Sequence, residues 1–260
     1  MNFFVEGIQG AGKSTFVGRL AEHFPDYRVF REGDYNPVEL AWCAYMTEPQ
    51  YEAVLARYVG LREEIERNTH TEGDRRIVTC TRILTDVPGF HKDLEQYEIY
   101  NNRLSRAEFE EIILGRYARW SGDKSIFECS IFQNIIENQI LFYEMNDEES
   151  VAFFLRLKAV LAGRDLRILY LETDDIAGSL QVIRKERVDE NGAEMWFPLM
   201  VGFLEESPQG RRRGLRGFDG LVTHLTHRQQ LELRILREVF PEQAEVIRDR
   251  GKALLSHGGL

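Results

Sequence analysis

Residues 7–15 read Gly-Ile-Gln-Gly-Ala-Gly-Lys-Ser-Thr, and their types and spacing suit one kind of chemistry. Gly7-x4-Gly12-Lys13-Ser14 is the spacing of a phosphate-cradling loop. Glycines let the amides of Gly10, Ala11, Gly12, Lys13, Ser14 and Thr15 approach phosphate oxygens, and the following helix N-terminus favours negative charge. Lys13 would reach the outer phosphates as a mobile point charge, and the Ser14 hydroxyl would ligate Mg2+. The motif predicts a bound nucleoside triphosphate, ATP or GTP, with magnesium. A chance match in a glycine turn is the plainer alternative. The required context, a strand before the loop and a helix after it, is read from the neighbouring residues.

The elements that must position this loop follow from hydrophobic patterning. Asn2–Glu6 is a short apolar run and reads as a buried parallel strand. Lys13–Phe24 has helical spacing at Phe16, Val17, Leu20 and Phe24. Tyr27–Phe30, Ser125–Phe127, Arg167–Leu171 and Ala244–Ile247 are further strands. Pro37 opens a helix through about Met46, and Tyr51–Asn68 is a long amphipathic helix. Leu94–Tyr100, Arg106–Trp120, Ile131–Tyr143, Glu148–Leu161, Asp175–Val188 and Leu221–Phe240 read as helices. Ile131–Tyr143 is apolar on nearly every side and should be buried. Arg75–Leu84 is either a strand or an extended segment, and Gly192–Gly220 is turn-rich and basic. Strands alternating with helices predict an α/β chain, with a mostly parallel central sheet flanked by helices in three layers. A single domain over 1–260 is expected, with insertions at the irregular stretches 71–104 and 189–220.

A net charge of −10 argues against generic nucleic-acid binding, so no nucleic-acid partner is expected. A polyanion held by so acidic a chain requires locally clustered arginines. Three cysteines, none in a CxxC pair, suggest a reducing compartment. No apolar run approaches the length of a membrane span. The N-terminus runs straight into a strand, which reads as leaving no room for a signal peptide. A cytoplasmic protein is expected. His224 and His227 lie one helical turn apart without a third ligand at fitting spacing, and read as surface or buried hydrogen-bonding residues.

The stretch Phe-Val-Glu-Gly-Ile-Gln-Gly-Ala-Gly-Lys-Ser-Thr-Phe (4–16) resembles the thymidylate kinase and deoxynucleoside kinase superfamily. Three further stretches are similar in order: Arg31-Glu32 after the second strand, Phe127-Glu128-Cys129-Ser130, and Leu169–Glu172 with the helix ending Arg184-Lys185-Glu186-Arg187. The resemblance implies a P-loop fold with helical or irregular insertions and an arginine-rich lid at 184–220. It implies an ATP- and Mg2+-dependent kinase acting on a small-molecule acceptor such as a nucleoside, nucleotide or related compound. A homodimer is also implied. Glu32 is then the general base or acceptor-orienting carboxylate, with Asp34 as competitor and a solvated loop acid as the plainer reading. Glu128 is the acid on the magnesium side, with Glu172 and Asp174 as rivals and a first-turn helix acid as the alternative.

Arg184 and Arg187, and the run Arg211–Arg213 with Arg216 between glycines, fit a lid that neutralises the transferring group. Stabilised helix ends and solvated surface are the ordinary readings of such residues. Tyr35, Trp42 and Tyr45 would line the acceptor pocket, although Trp42 and Tyr45 at helical spacing also suit simple core, and Arg82 would meet an anionic or polar acceptor. One departure stands out. The family pattern places arginine after the acid, and this chain has Cys129. The catalytic cation then comes from elsewhere, or the activity differs. An antibiotic or hydroxyl-metabolite kinase and a non-catalytic nucleotide-binding switch therefore stay open.

Overall fold

The computed structural model describes residues 1–188, 190 and 192–248. In chain order the elements are β1 (Asn2–Glu6), α1 (Lys13–His23), β2 (Arg28–Phe30), β3 (Cys43–Thr47), α2 (Glu48–Arg57), α3 (Arg62–Arg67), β4 (Thr69–Glu72), β5 (Arg75–Thr79), α4 (Phe90–Leu94), α5 (Arg106–Arg119), β6 (Ser125–Glu128), α6 (Gln133–Leu141), α7 (Asp147–Val160), β7 (Leu166–Leu171), α8 (Ile176–Glu186), α9 (Trp196–Glu206), α10 (Pro208–Arg213), α11 (Gly217–Glu238) and β8 (Ala244–Ile247). The described residues form two compact units: Met1–Val29 with those from Ser121 on, and Phe30–Trp120.

The first unit is built on a five-stranded parallel sheet in the order β2-β6-β1-β7-β8, flanked by helices. β1 is buried along its whole length, as a strand covered on both faces must be. Phe3 and Val5 pack with Phe16, Val17 and Leu20 of α1, while Phe4 stacks on Phe127 with ring centroids 4.7 Å apart. Each such fully buried side chain contributes about 1.5–3 kcal/mol relative to exposure. β1 pairs with β6 (Val5 opposite Glu128) and with β7 (Glu6 opposite Tyr170). This register brings the carboxyl ends of three strands, and the residues that follow them, to one edge. Among the described residues no helix is long and apolar enough to cross a membrane.

The second unit carries an antiparallel sheet, β3-β5-β4, whose core includes Ala44, Met46, Ile65, Val78 and Phe90. Here the expected helix from Pro37 to Met46 is corrected. Asn36 Oδ1 accepts from the amides of Val38 (3.0 Å) and Glu39 (3.3 Å), and Glu39 Oε1 accepts from Ala41 N (2.6 Å). These side chains satisfy the backbone locally, so a turn forms instead of a helix. Cys43–Thr47 then pairs with Arg75–Thr79 as a strand, which settles the ambiguous 75–84 segment as β5 followed by a 3-10 turn at Cys80–Arg82. The long helix expected over Tyr51–Asn68 is broken after Arg57 by a 3-10 turn, and that over Leu94–Tyr100 is a 3-10 turn at Glu95–Tyr97 after α4.

Residues 192–220, expected to be turn-rich, carry α9, α10 and the start of α11. Ser207 Oγ donates to Leu204 O (2.7 Å) and accepts from Gly210 N (3.0 Å), ending one helix and capping the next. Pro208 suits the first turn of α10, and Gly214 (φ +64°) ends it. The arginine run is thus a capped helix and not a glycine-framed loop. Residues 189 and 191 of the expected lid lie outside the described residues.

Candidate functional site

The loop between β1 and α1 has the backbone its glycines allow. Gly7 lies at φ +141°, where a Cβ would sit 2.6 Å from Leu171 O; Gly10 lies at φ +83°, where it would meet Ile183 Cδ1 at 2.7 Å. Sheet and α8 therefore close on the loop as tightly as glycine permits. α1 starts at Lys13 from Gly12 without a capping side chain, which leaves first-turn N–H groups for an anion. The buried Lys13 donates from Nζ to Gly7 O (2.8 Å) and Ile8 O (2.9 Å), folding its charge over the loop. Ser14 Oγ donates to Glu128 Oε1 at 2.5 Å.

That contact joins a hydroxyl and a carboxylate 114 positions apart in sequence, because Glu128 is the last residue of β6 beside β1. Two oxygen ligands so placed suit a hard divalent cation, which takes its other ligands from phosphate and water. Among the described residues no three His, Cys, Asp or Glu side chains cluster so as to hold a metal by themselves. Glu172, one rival for the role, is taken by Arg248 Nε at 2.6 Å; the other, Asp174, is exposed. Cys129, where the resemblance calls for arginine, is buried in left-handed backbone (φ +58°), its amide on Val5 O (3.1 Å) and its Sγ 3.5 Å from Gln133 Oε1. It brings no positive charge to the site.

Sequence reasoning missed Glu6, the residue before Gly7. Its carboxyl accepts from Ile131 N (2.7 Å) and Phe132 N (3.3 Å), so it ties the end of β1 to the segment after Glu128. Burial outweighs those bonds and the charge of Lys13, pushing its pKa up to about 8. The folded state therefore holds a proton that the unfolded chain releases above pH 4.5, and the resulting stability is lost as pH rises through 8. Glu6→Gln should flatten this slope. Urea unfolding at pH 5.5 and 8.5 is expected to show a loss about 2–3 kcal/mol larger in wild type than in the variant. Equal losses would remove the buried proton from the account.

The expected lid residues are engaged locally. Arg184 donates to both Glu194 oxygens, from Nε at 2.9 Å and Nη2 at 3.2 Å, and its guanidinium lies 4.2 Å from the Phe197 ring centroid. Arg187 stands 5.7 Å from the Trp196 ring centroid. Arg184 follows Ile183, the residue that abuts Gly10, so α8 carries it directly past the loop. Arg212 pairs with Glu144 (3.0 Å) and Arg216 with Glu205 (3.5 Å), on α10 and at the start of α11. His224 is buried 2.7 Å from Glu137, and His227 lies 2.9 Å from Asp147.

The residues expected on the acceptor side all belong to the second unit. Glu32 Oε1 accepts from Trp42 Nε1 at 3.4 Å, and Arg82 pairs with Asp34. Trp42 is not helical: it sits at φ +60° just before β3 and is half exposed. Tyr35 stacks on His70 (3.9 Å between centroids) and donates to Glu72 at 2.7 Å, a carboxylate that also receives Arg116. Tyr45 is a strand residue with the Arg75 guanidinium 5.1 Å from its ring centroid. The fold thus joins Glu32 to Trp42 and Asp34 to Arg82, while Tyr35 and Tyr45 are held by other partners. No family model matches this chain, and no curated protein matches it either.

Proposed function

We propose that this chain is an ATP- and magnesium-dependent phosphotransferase of the P-loop type. It would move the γ-phosphate to a small-molecule acceptor such as a nucleoside, nucleotide or related compound. One observation carries the reading: the glycine loop, Lys13 and the 2.5 Å Ser14–Glu128 contact occupy one strand end at the start of one helix. The loop amides and Lys13 would hold the phosphates, and Ser14 with Glu128 would hold magnesium or its waters. When bound, the metal supplies charge neutralisation for the transferring group. Arg184 and Arg187 are the cations proposed to substitute for the arginine that Cys129 replaces, once released from Glu194 and Trp196. Glu32 is the carboxylate proposed to orient the acceptor hydroxyl.

The buried, uncharged Cys129 favours a second reading, a nucleotide-binding switch without transfer. Purified protein incubated with γ-labelled ATP, Mg2+ and a panel of nucleosides, nucleotides and hydroxyl metabolites separates the two. Label on one added compound is the expected result. Nucleotide binding with no transfer to any acceptor selects the switch, and absence of nucleotide binding removes both.

A further inference from the structure

The second unit contains a cavity of about 470 Å³ that no residue assigned to phosphate chemistry lines. Its size is that of a small-molecule pocket. Tyr45, Tyr97, Ile99, Leu104 and Ile112 give it apolar and aromatic walls. Its charged lining is unbalanced: Asp74, Glu98, Glu108 and Glu111 against Arg75 and Arg119. Three of these six charges are already matched in the fold. Asp74 and Arg75 approach each other at 3.7 Å, and Glu108 accepts from Ser105 in the capping box of α5.

Glu98 differs from the others. It is only 7 % exposed, yet its carboxylate makes no hydrogen bond or ion pair with any described residue. A carboxylate almost withdrawn from water and without a partner is costly, and proteins rarely keep one without a use. Here it faces a cavity whose apolar walls would take the body of a ligand. With Asp74, Arg75 and Glu108 already matched, a phosphate or carboxylate ligand would meet Glu98 and Glu111 against Arg119 alone.

We infer that this cavity is a binding site for a small organic cation, an ammonium or guanidinium on a flat or apolar body, with Glu98 as its counter-ion. The body would lie against Tyr97, whose ring face also attracts cations; the ring of Tyr45 is already taken by the Arg75 guanidinium at 5.1 Å. The inference does not rest on nucleotide binding, since every lining residue lies in the second unit.

Burial pushes Glu98 up to about 7, with Glu95 and Glu39 adding to the rise and Arg103 and Lys92 opposing it. Asp74, Arg75, Glu108, Glu111 and Arg119 complete the charged groups around the cavity. An amine needs the ionised acid, so its affinity should strengthen roughly tenfold from pH 6 to pH 8.

The test is calorimetric titration, without nucleotide, of tyramine, histamine and agmatine, against neutral 4-ethylphenol and anionic 4-hydroxyphenylacetate. At least one amine should bind roughly tenfold or more tightly than the neutral and anionic probes. Glu98→Gln is isosteric with the protonated acid and should melt no lower than wild type. It should weaken that amine roughly tenfold and abolish the pH dependence. Glu111→Gln, at the exposed rim, should change affinity less than threefold or so. No binding by any amine, tighter binding of the anion, an unchanged Glu98→Gln variant, or equal losses in the Glu98 and Glu111 variants would each overturn the site.

Discussion

Replacing Lys13 by alanine is expected to abolish the nucleotide-induced rise in melting temperature and to lower kcat/KM for phosphoryl transfer by roughly 10²-fold or more. Two effects act in one direction. Lys13 holds Gly7 O and Ile8 O at 2.8 and 2.9 Å, so it braces the loop. The same ammonium is the cation on the loop with reach towards outer phosphates. Each charge-assisted hydrogen bond it would make is worth about 1.5–3 kcal/mol. Lys13→Arg should not rescue, because a planar five-donor fork does not fit a buried pocket shaped for a compact ammonium. Thermal unfolding with and without ATP and Mg2+ reads binding alone. In wild type, ligand at ~100 times its Kd stabilises by about 2.7 kcal/mol. If the alanine variant keeps that shift, the nucleotide is held elsewhere and the loop assignment fails, whatever happens to transfer.

The parts of the chain that could be read from sequence share a physical cause. β1, β6, β7 and β8 are strands of the parallel sheet, so they appear as short apolar runs, and the glycine loop announces its own backbone. The strand Cys43–Thr47 was not legible, because its partner Arg75–Thr79 is about 30 residues away and Trp42 and Tyr45 stand at helical spacing. What decided the matter was Asn36 and Glu39 binding the backbone next to Pro37, a contact that no periodicity encodes. The helix of the arginine run is hidden for a related reason. Its flanking glycines suggest a loop, yet Ser207 and Pro208 start a helix and Gly214 ends it. Glu128 could be placed at a strand end from sequence, but its contact with Ser14 depends on β6 lying beside β1. Least legible of all were Arg228 and Glu232. Four apart on a helix, they look like a surface pair, and both are fully buried.

Those two residues carry the second large effect: Arg228→Met is expected to destabilise the protein by about 3–5 kcal/mol in urea unfolding at neutral pH. Arg228 lies 3.2 Å from Glu137 and 3.0 Å from Glu232; Tyr170 donates to Glu232 at 2.6 Å, and His224 sits 2.7 Å from Glu137. Burial alone would raise Glu137, but the charges of His224 and Arg228 outweigh it and hold the acid at about 2. Its stability contribution is therefore present above its ordinary 4.5 and lost as pH falls through 2. Without the Arg228 guanidinium, Glu137 keeps only His224 and Glu232 loses its paired cation, so protonation becomes the cheaper state. The deficit of the variant should then narrow as pH falls from 7 towards 4.5. The combined change Glu137→Leu, Arg228→Met and Glu232→Leu should cost less than Arg228→Met alone, because it removes the stranded charges with the cation. A single-variant loss below about 1 kcal/mol would mean that water or rearrangement already relieves the network. The consequence reaches the loop through the sheet. Tyr170, which anchors Glu232, is the register partner of Glu6, and Glu6 is the last residue before Gly7. A cluster that fixes the end of β7 against α11 also fixes the strand from which the glycine loop springs.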